Sequence, residues 1–556
     1  MPTLTIDGNE VEFKNGQTVI EAAKDAGIEI PHFCWHPKLS VSGNCRVCLV
    51  EIEKMPKLVI ACSTMAAEGM VVHTQSDKTV KARNAVMEFI LINHPLDCPI
   101  CDEAGECKLQ DYAFNHGVGE SRFVEEKQHK DKRIKLGPRI MFDGERCISC
   151  SRCIRFSDEI AGENQLTFVK RGDRVTITTF PGEEFDNPYT LNTVDICPVG
   201  ALTSTDFRFQ SRVWELSSTK SVCIGCSRGC NTEIWSRNNK ILRLTPRQNE
   251  EVNQEWMCDH GRLDTFKFLN ADTRVENVSV RREGVLNTID WNEGFELTVK
   301  RLKEYKSGEI AFFGSPVATV EDNYVFAQFA KSMGVKNLVF APRIKIGSGD
   351  KILITEDKSP NAKGAELTGF SAKKFDEVMD GINFRKIKAA FILEDDIASL
   401  REDYKEALSR LELLVVTSTN YNELTEMADI IFPASTYAEK NGTFVNVNNR
   451  LQRIRPAIAA EDMDRALDGM AMSRWDKFGT RFDRWQQGKK YPSKPSWKII
   501  SELAEKVNLH LRYDMAETVF EEAASKIKEL KGLNYDDIGE LGITLTVVKQ
   551  KTTEEV

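Results

Sequence analysis

The stretch His94-Pro95-Leu96-Asp97-Cys98-Pro99-Ile100-Cys101-Asp102-Glu103-Ala104-Gly105-Glu106-Cys107 gathers one imidazole and three thiols, spaced H-x3-C-x2-C-x5-C. Three cysteines and one soft nitrogen make a complete four-coordinate set for an iron–sulfur cube or a zinc ion. The remaining cysteines decide between them. The chain has 15, all between Cys34 and Cys258, in one group of three and three groups of four. His94 completes the group of three, so no thiol is left over. A lone histidine is usually a hydrogen-bonded structural residue. Here it stands at ligand spacing from Cys98 with no competing fourth cysteine, so ligation is preferred. A helix over Asp77–Asn93, with Val80, Val86, Phe89 and Ile90 as its apolar positions, is expected to deliver it. An imidazole in place of a thiolate removes one negative charge, which by charge alone raises a cluster's potential.

Upstream, Thr3 to Phe13 alternates apolar and polar residues about Asp7-Gly8, the pattern of a β-hairpin. A helix follows from Thr18, with Glu21 as capping-box partner and Gly27 as its stop. Cys34, Cys45, Cys48 and Cys62 come next, spaced C-x10-C-x2-C-x13-C. Hairpin, helix and long cysteine loop is the order of a plant-type ferredoxin, and three early cysteines with a remote fourth fit a [2Fe–2S] cluster. Gly43 leaves room for backbone N–H groups near the sulfur. Zinc is the alternative for this set taken alone. His32 and His36 read as loop residues.

Downstream, Cys147, Cys150 and Cys153 form the C-x2-C-x2-C run of bacterial ferredoxins, and Cys197-Pro198 supplies the remote fourth ligand, which makes a [4Fe–4S] site. No second such run occurs, so this module holds one cube. Cys223, Cys226, Cys230 and Cys258 are spaced C-x2-C-x3-C-x27-C. Alone this spacing also suits a zinc ribbon; beside three cluster sets a third cube is the better reading. The expected cofactors are therefore one [2Fe–2S] and three [4Fe–4S] clusters. His260 lies near a quartet that is already full.

The 556 residues are 41% apolar and 29% charged, ordinary globular material, and the net charge of −9 gives no reason to expect nucleic-acid binding. No apolar run reaches the length of a membrane span, and the start has neither region of a signal peptide, so a reducing cytoplasm is expected. After Cys258 there is no further cysteine. The apolar runs Ile310–Phe313, Asn337–Phe340, Lys388–Leu393 and Leu413–Thr417, with a helix over Val320–Met333 and another helix-like stretch between the last two runs, predict an open α/β fold with a parallel sheet. Gly314-Ser315-Pro316 reads as a plain strand-to-helix turn, since no phosphate-binding glycine pattern accompanies it. Arg474 to Tyr491 interleaves basic and aromatic residues and reads as a docking or linker segment rather than a nucleic-acid surface. An amphipathic helix is expected over Ser496–Ala504 and another near Thr518, with Glu521 as capping-box partner. The last residues, Lys551–Val556, are expected to be loose.

With these ligands placed, the chain resembles the large iron–sulfur subunit family of bacterial respiratory Complex I, the 75 kDa-subunit family. Gly43–Cys48, His94–Cys107, Arg146–Phe156 and Asp195–Thr203 carry the resemblance together. Ala428–Pro433 and Glu439–Arg450 resemble the molybdopterin-oxidoreductase fold, with Gly347–Gly369 as a compressed remnant. The resemblance implies a multidomain α+β and α/β chain: a β-grasp [2Fe–2S] ferredoxin over residues 1–78, a [4Fe–4S] module with one histidine and three cysteine ligands over 79–120, and a bacterial-ferredoxin-like [4Fe–4S] module over 121–217. A further [4Fe–4S] domain over 218–275 and a degenerate, shortened molybdopterin-oxidoreductase-like α/β domain over 276–556 complete it. It also implies electron transfer without an NADH or flavin site or catalytic residue in this chain. Electrons would arrive from a flavin subunit that oxidises NADH and leave from the His94 cube to a two-cube ferredoxin-like subunit, with the fourth cube off that path. Other peripheral-arm subunits would surround it on the cytoplasmic face of the bacterial inner membrane, with membrane contact only through partners, and proton translocation would belong to the whole complex. The rear half has no cysteine to bind molybdenum, so none is expected. That sets the chain apart from a formate dehydrogenase, and the missing downstream cysteines set it apart from an iron-only hydrogenase. The iron–sulfur or catalytic subunit of a soluble NAD-linked formate dehydrogenase or hydrogenase complex is the alternative.

Overall fold

Asp7 and Gly8 both take positive φ, 48° and 84°, as the first two-residue turn in the chain requires. The turn pairs Thr3–Ile6 with Asn9–Glu12 in register. The computed structural model describes residues 1–465 and 468–545, so the expected loose tail lies outside the described residues. The chain divides into two compact units, one from Met1 to Trp214 and one from Glu215 onward.

In the first unit the hairpin belongs to a five-stranded sheet in the order Asn9–Glu12, Thr3–Ile6, Val71–His73, Leu49–Ile52, Val59–Ile60. Thr3–Ile6 runs parallel to Val71–His73 and the other neighbours pair antiparallel. The helix Val19–Asp25 packs Val19, Ile20, Ala22 and Ala23 into one core with Leu4, Ile6, Val50, Val72 and the side chains of Cys48 and Cys62. Glu21 accepts from the Thr18 backbone N–H at 2.7 Å, as the capping box requires. The next helix runs Asp77–Leu91, but its buried face is Thr79, Arg83 and Met87. Val80 and Phe89 are exposed instead, a correction to the expected apolar face. Its N-terminal turn is fixed by Ser76, whose hydroxyl accepts from Thr79 N–H, and by Arg83, which donates to the Thr74 carbonyl at 3.0 Å. Further on, Ile134–Lys135, Ile140–Phe142 and Leu202–Ser204 form a small antiparallel sheet, and Arg152–Glu159 is a helix.

The second unit opens with an antiparallel sheet of Lys240–Pro246, Asn231–Arg237, Ser217–Val222 and Met470–Ala471. The rest is built on a seven-stranded sheet in the order Val285–Thr288, Ser279–Arg282, Ile430–Pro433, Leu413–Ser418, Ala389–Leu393, Ile310–Phe313, Asn337–Val339. The last five are parallel and the first two form an antiparallel hairpin at the edge. Alternate residues serve opposite faces. Phe312, Phe391, Val415 and Phe432 meet the helices Val320–Ser332 and Ser496–Glu505, while Phe313, Ile392, Val416 and Ile431 meet Phe375–Asn383 and Glu402–Leu408. The sheet is buried on both faces, which is why its strands read as continuous apolar runs. Gly314 to Thr319 is the strand-to-helix turn, closed by the Ser315 hydroxyl accepting from Val317 and Ala318 N–H groups at 3.2 Å.

Two expectations are corrected by the rear unit. The last long helix starts at Ala516, and no Thr518–Glu521 capping box forms; Thr518 donates its hydroxyl to the Met515 carbonyl. The basic and aromatic stretch is partly core: Trp485 and Arg484 are buried, and Arg484 donates to the Ala457 carbonyl at 2.8 Å and to Thr219 Oγ1.

Two buried carboxyls make this unit sensitive to pH. Glu321 accepts from Thr443 N–H and Tyr535 O–H at 2.9 Å, and burial raises it to about 7. Glu394 is raised to about 7 by burial, against the pull of the Lys440 ammonium at 2.6 Å. Both lie above the unfolded value of about 4.3. Between these limits the folded chain holds protons the unfolded chain has released, so their stabilisation is complete at low pH and is lost as pH rises through about 7. Glu321→Gln mimics the protonated acid. Its urea midpoint should fall less than wild type's between pH 5 and pH 8; an identical fall would place that proton elsewhere.

Candidate metal centres

None of the 15 thiols is in a disulfide. In the first set, Cys34 shares side-chain hydrogen bonds with Cys45 and Cys62, and Cys62 with Cys48. These contacts hold Cys34 and Cys48 below the usual thiol value and push Cys45 and Cys62 above it. The Cys34 N–H donates to Cys45 Sγ at 3.4 Å. Gly43 has φ +63°, and a Cβ there would sit 3.1 Å from Ile60 Cδ1. Arg46, at φ 58°, makes the next turn of this loop. His32 is spoken for by the Ile30 carbonyl at 2.8 Å, and burial lowers it to about 4. His36 accepts from the Lys38 N–H.

In the second set, Cys101 is buried, Cys107 is half-buried and Cys98 is exposed. Cys107 is the N-cap of the helix Lys108–His116 and Cys98 opens a single 3-10 turn. Burial pushes Cys107 up to about 11 and raises Cys101. Burial, reinforced by Lys127 and Arg146, lowers His94 to about 4, so the imidazole is neutral. Its Nδ1 is buried without a hydrogen-bond partner. A neutral ring with an orphaned nitrogen fits a metal ligand and does not fit the hydrogen-bonded structural alternative.

In the third set Cys150 and Cys153 are buried and Cys147 and Cys197 half-buried. Cys153 lies in the first turn of the helix Arg152–Glu159, within electrostatic reach of Cys147, Cys150 and Cys197. Burial raises Cys153 and Cys197 well above the usual thiol value. Ser149 and Ser151 both take positive φ, 55° and 64°, and the Ser149 N–H donates to Cys147 Sγ at 3.4 Å. The fourth set repeats this: Cys230 is within electrostatic reach of Cys223, Cys226 and Cys258, and burial raises Cys223 and Cys230 well up. Cys258 caps the helix Asp259–Leu263, its sulfur accepting from Gly261 N–H at 3.3 Å. A Cβ at Gly261 would lie 2.9 Å from Cys223 Sγ. His260 is paired with Asp264 at 2.9 Å and stands apart from the quartet.

The donor chemistry fits clusters: thiols in fours, or three with a neutral imidazole, under backbone N–H groups in left-handed turns and at helix N-termini. Among the described residues no group of three or more His, Cys, Asp or Glu converges on one point where a single metal ion would sit. A cube needs no such point, because each thiolate binds a different iron.

Three of the sets adjoin one another within the first unit. Arg152 donates to the Ile196 carbonyl at 3.0 Å and to the Trp35 carbonyl, and Arg155 donates to the Cys34 carbonyl. Asn44 donates to the Ser149 carbonyl at 3.0 Å. On the other side, a Cβ at Gly200 would lie 2.4 Å from Cys101 Sγ, and Cys107 Sγ is 3.9 Å from the Pro198 carbonyl. The contact order is therefore the Cys34 set, the Cys147 set, the His94 set. Sequence reasoning missed these joints. Arg152, Arg155 and Gly200 sit inside the cysteine motifs, but spacing says nothing of which loop they reach.

Five families match the chain: a 2Fe-2S iron-sulfur cluster binding domain over residues 1–77, the NADH-ubiquinone oxidoreductase-G iron-sulfur binding region over 83–122, and the ferredoxin-like domain of NADH-quinone oxidoreductase subunit 3 over 137–203. An NDSU1/NuoG-like 4Fe-4S domain matches 216–265, and molybdopterin oxidoreductase matches 343–466. The G subunit of NADH-quinone oxidoreductase from Rickettsia bellii is 43% identical over 340 residues, 61% of this chain and 49% of that protein. The NADH-ubiquinone oxidoreductase 75 kDa subunit of Reclinomonas americana is 40% identical over 336 residues, 60% of this chain and 48% of that one. A chain in the structure of a NAD+-reducing [NiFe]-hydrogenase shares 31% identity, covering 38% of this chain and 91% of its own, with a TM-score of 0.35. The chain spans about half the length of the curated relatives it matches. In the order and kind of its domains it is similar to the large iron–sulfur subunits of NADH-quinone oxidoreductase.

Proposed function

We propose that this chain relays electrons within an NADH:quinone oxidoreductase, taking them from a flavin subunit that oxidises NADH and handing them to a two-cube ferredoxin-like subunit on the way to quinone. The contiguity of three cysteine sets within one compact unit carries this reading. The Cys34 set holds a [2Fe–2S] cluster; the Cys147 set, with Cys150, Cys153 and Cys197, holds a cube; and His94 with Cys98, Cys101 and Cys107 holds another. Electrons pass through them in that order, and the exposure of Cys98 makes the His94 set the exit. The Cys223 set holds a third cube aside from the path. When bound, the clusters supply reversible one-electron carriers. The chain's own residues fix the thiols, exclude water and set potentials through burial and N–H···S bonds.

Among the described residues no helix is long and apolar enough to cross a membrane, which agrees with a place in the peripheral arm, at the cytoplasmic face of the bacterial inner membrane, reached through partner subunits. No molybdenum is expected.

Three outcomes test this. Purified anaerobically, the chain should bind about fourteen irons with matching acid-labile sulfide; zinc without sulfide would end the proposal. In His94→Cys, a thiolate replaces a neutral ring, so that cube should persist and its midpoint potential should fall in a redox titration followed by electron paramagnetic resonance. Signals unchanged at every cluster would remove His94 from the ligands. Cys226→Ala should lose about four irons while the assembled complex keeps most NADH-driven turnover; complete loss of turnover would put the fourth cube on the route.

A further inference from the structure

Arg152 lies between Cys150 and Cys153 in sequence and between two cysteine sets in space. One arm of its guanidinium, Nη1, donates to the carbonyl of Ile196, the neighbour of Cys197. The other, Nη2, donates to the carbonyl of Trp35, the neighbour of Cys34. The third nitrogen, Nε, is buried without a partner for its N–H. Among the described residues its hydrogen bonds go to carbonyls and no carboxylate is in contact with its charge, and the thiols of Cys34, Cys150 and Cys197 are within its electrostatic reach. A planar fork spanning two carbonyls fixes their separation in a way a single flexible ammonium cannot. A cation at low dielectric stabilises electrons added nearby far more than one in water.

We propose that Arg152 is a positioning residue that ties the Cys34 loop to the Cys147 module and lends one positive charge to the reduction of both clusters. Its Nε–H, unpartnered and buried, is one donor available to a cluster sulfur. The proposal rests on the reading of these two sets as cluster ligands.

The test uses the full-length chain, purified anaerobically with its clusters, as wild type, Arg152→Met and Arg152→Lys. Each is titrated with reductant and followed by electron paramagnetic resonance. In Arg152→Met both the [2Fe–2S] cluster and the Cys147 cube should become harder to reduce, each by about tenfold in its reduction equilibrium, or about 59 mV for one electron. The Cys223 cube should not move. Arg152→Lys should recover most of the shift, because the charge returns although the fork does not. A shift confined to one of the two clusters, no shift, or equal shifts in Met and Lys would overturn the proposal. If Arg152→Met sheds iron, the Lys variant decides: near-native potentials at both clusters support the shared charge, and displaced ones reject it. A wild-type chain without these two cluster signals would instead overturn the ligand reading, and this proposal with it.

Discussion

Thiols packed against one another in a desolvated pocket cannot all ionise unless positive charge stands among them. This constraint shapes the front of the molecule. At Cys153, Cys197, Cys223 and Cys230 burial, with the repulsion of neighbouring thiolates added to it, drives the thiol far above its usual value. Burying an unpaired anion is costly enough that the proton stays on. The surroundings offset only part of this, through the Ser149 and Gly261 N–H groups and the first turns of short helices. An iron–sulfur core supplies the missing positive charge and displaces the protons, so binding would be coupled to proton release and to the rigidity of the loops. Without such a core these quartets would be a burden on stability with no compensation. That burden, borne in full by the third and fourth sets, is the physical ground for reading them as cluster sites.

The same economy explains how the sets are joined. A gap of protein between two redox centres has to be thin, since tunnelling falls steeply with distance, and it has to be rigid. In the first unit it is made of backbone, glycine and arginine side chains that bond to carbonyls. Arg152 and Arg155 reach the carbonyls at Trp35 and Cys34. Gly200 brings the loop after Cys197 against Cys101, where any side chain would collide with the sulfur. Arg212 donates to the Cys101 and Pro99 carbonyls and braces the same loop from the other side. Carbonyl acceptors are well suited to this, because their positions follow from the fold and not from a rotamer.

What the sequence disclosed, and what it hid, follows from the range of each signal. The Asp7-Gly8 turn, the Thr18–Glu21 box and the apolar strands of the rear sheet are local or periodic, and each is found as read. The runs Cys45–Cys48, Cys98–Cys107, Cys147–Cys153 and Cys223–Cys230 are local signals of the same kind, whereas Cys62, Cys197 and Cys258 are more distant in sequence. The helix Asp77–Leu91 misled: its apolar residues Val80 and Phe89 face outward, and Thr79 and Arg83 are buried because Arg83 finds the Thr74 carbonyl. No period of apolar residues can report a buried arginine. Trp485 and Arg484 read in sequence as part of a docking or linker segment, but the Arg484 partners Thr219 and Ser236 lie far away in the chain. At Thr518 the box residues are present, yet the helix begins two residues earlier, so the hydroxyl serves the Met515 carbonyl instead.

The rear sheet shows what becomes of a binding fold when its crevice is filled from within. Its five parallel strands run in the order second, first, third, fourth, fifth, so the chain reverses direction across the sheet between Ile310–Phe313 and Ala389–Leu393. Sheets of this kind bind ligands outside the carboxyl ends of the strands at that point. Here Glu394 follows directly on Leu393, and Lys440 reaches both it and Asp322, at 2.6 and 2.7 Å. Ser496 donates to the same carboxylate, and Ser315, just past the neighbouring strand, donates to the Glu394 carbonyl at 3.4 Å. Lys440 is 1% exposed and Asp322 and Ser315 are 0%. The polar groups a ligand would meet at the crevice meet one another. A buried ion cluster of this sort adds little net stability compared with apolar packing, but breaking it by removing one member costs about 3–5 kcal/mol. Such a cluster locks the two strand ends and the helix Val320–Ser332 together. The rear half thereby keeps the rigidity of a ligand-binding domain while its crevice is given over to internal pairing.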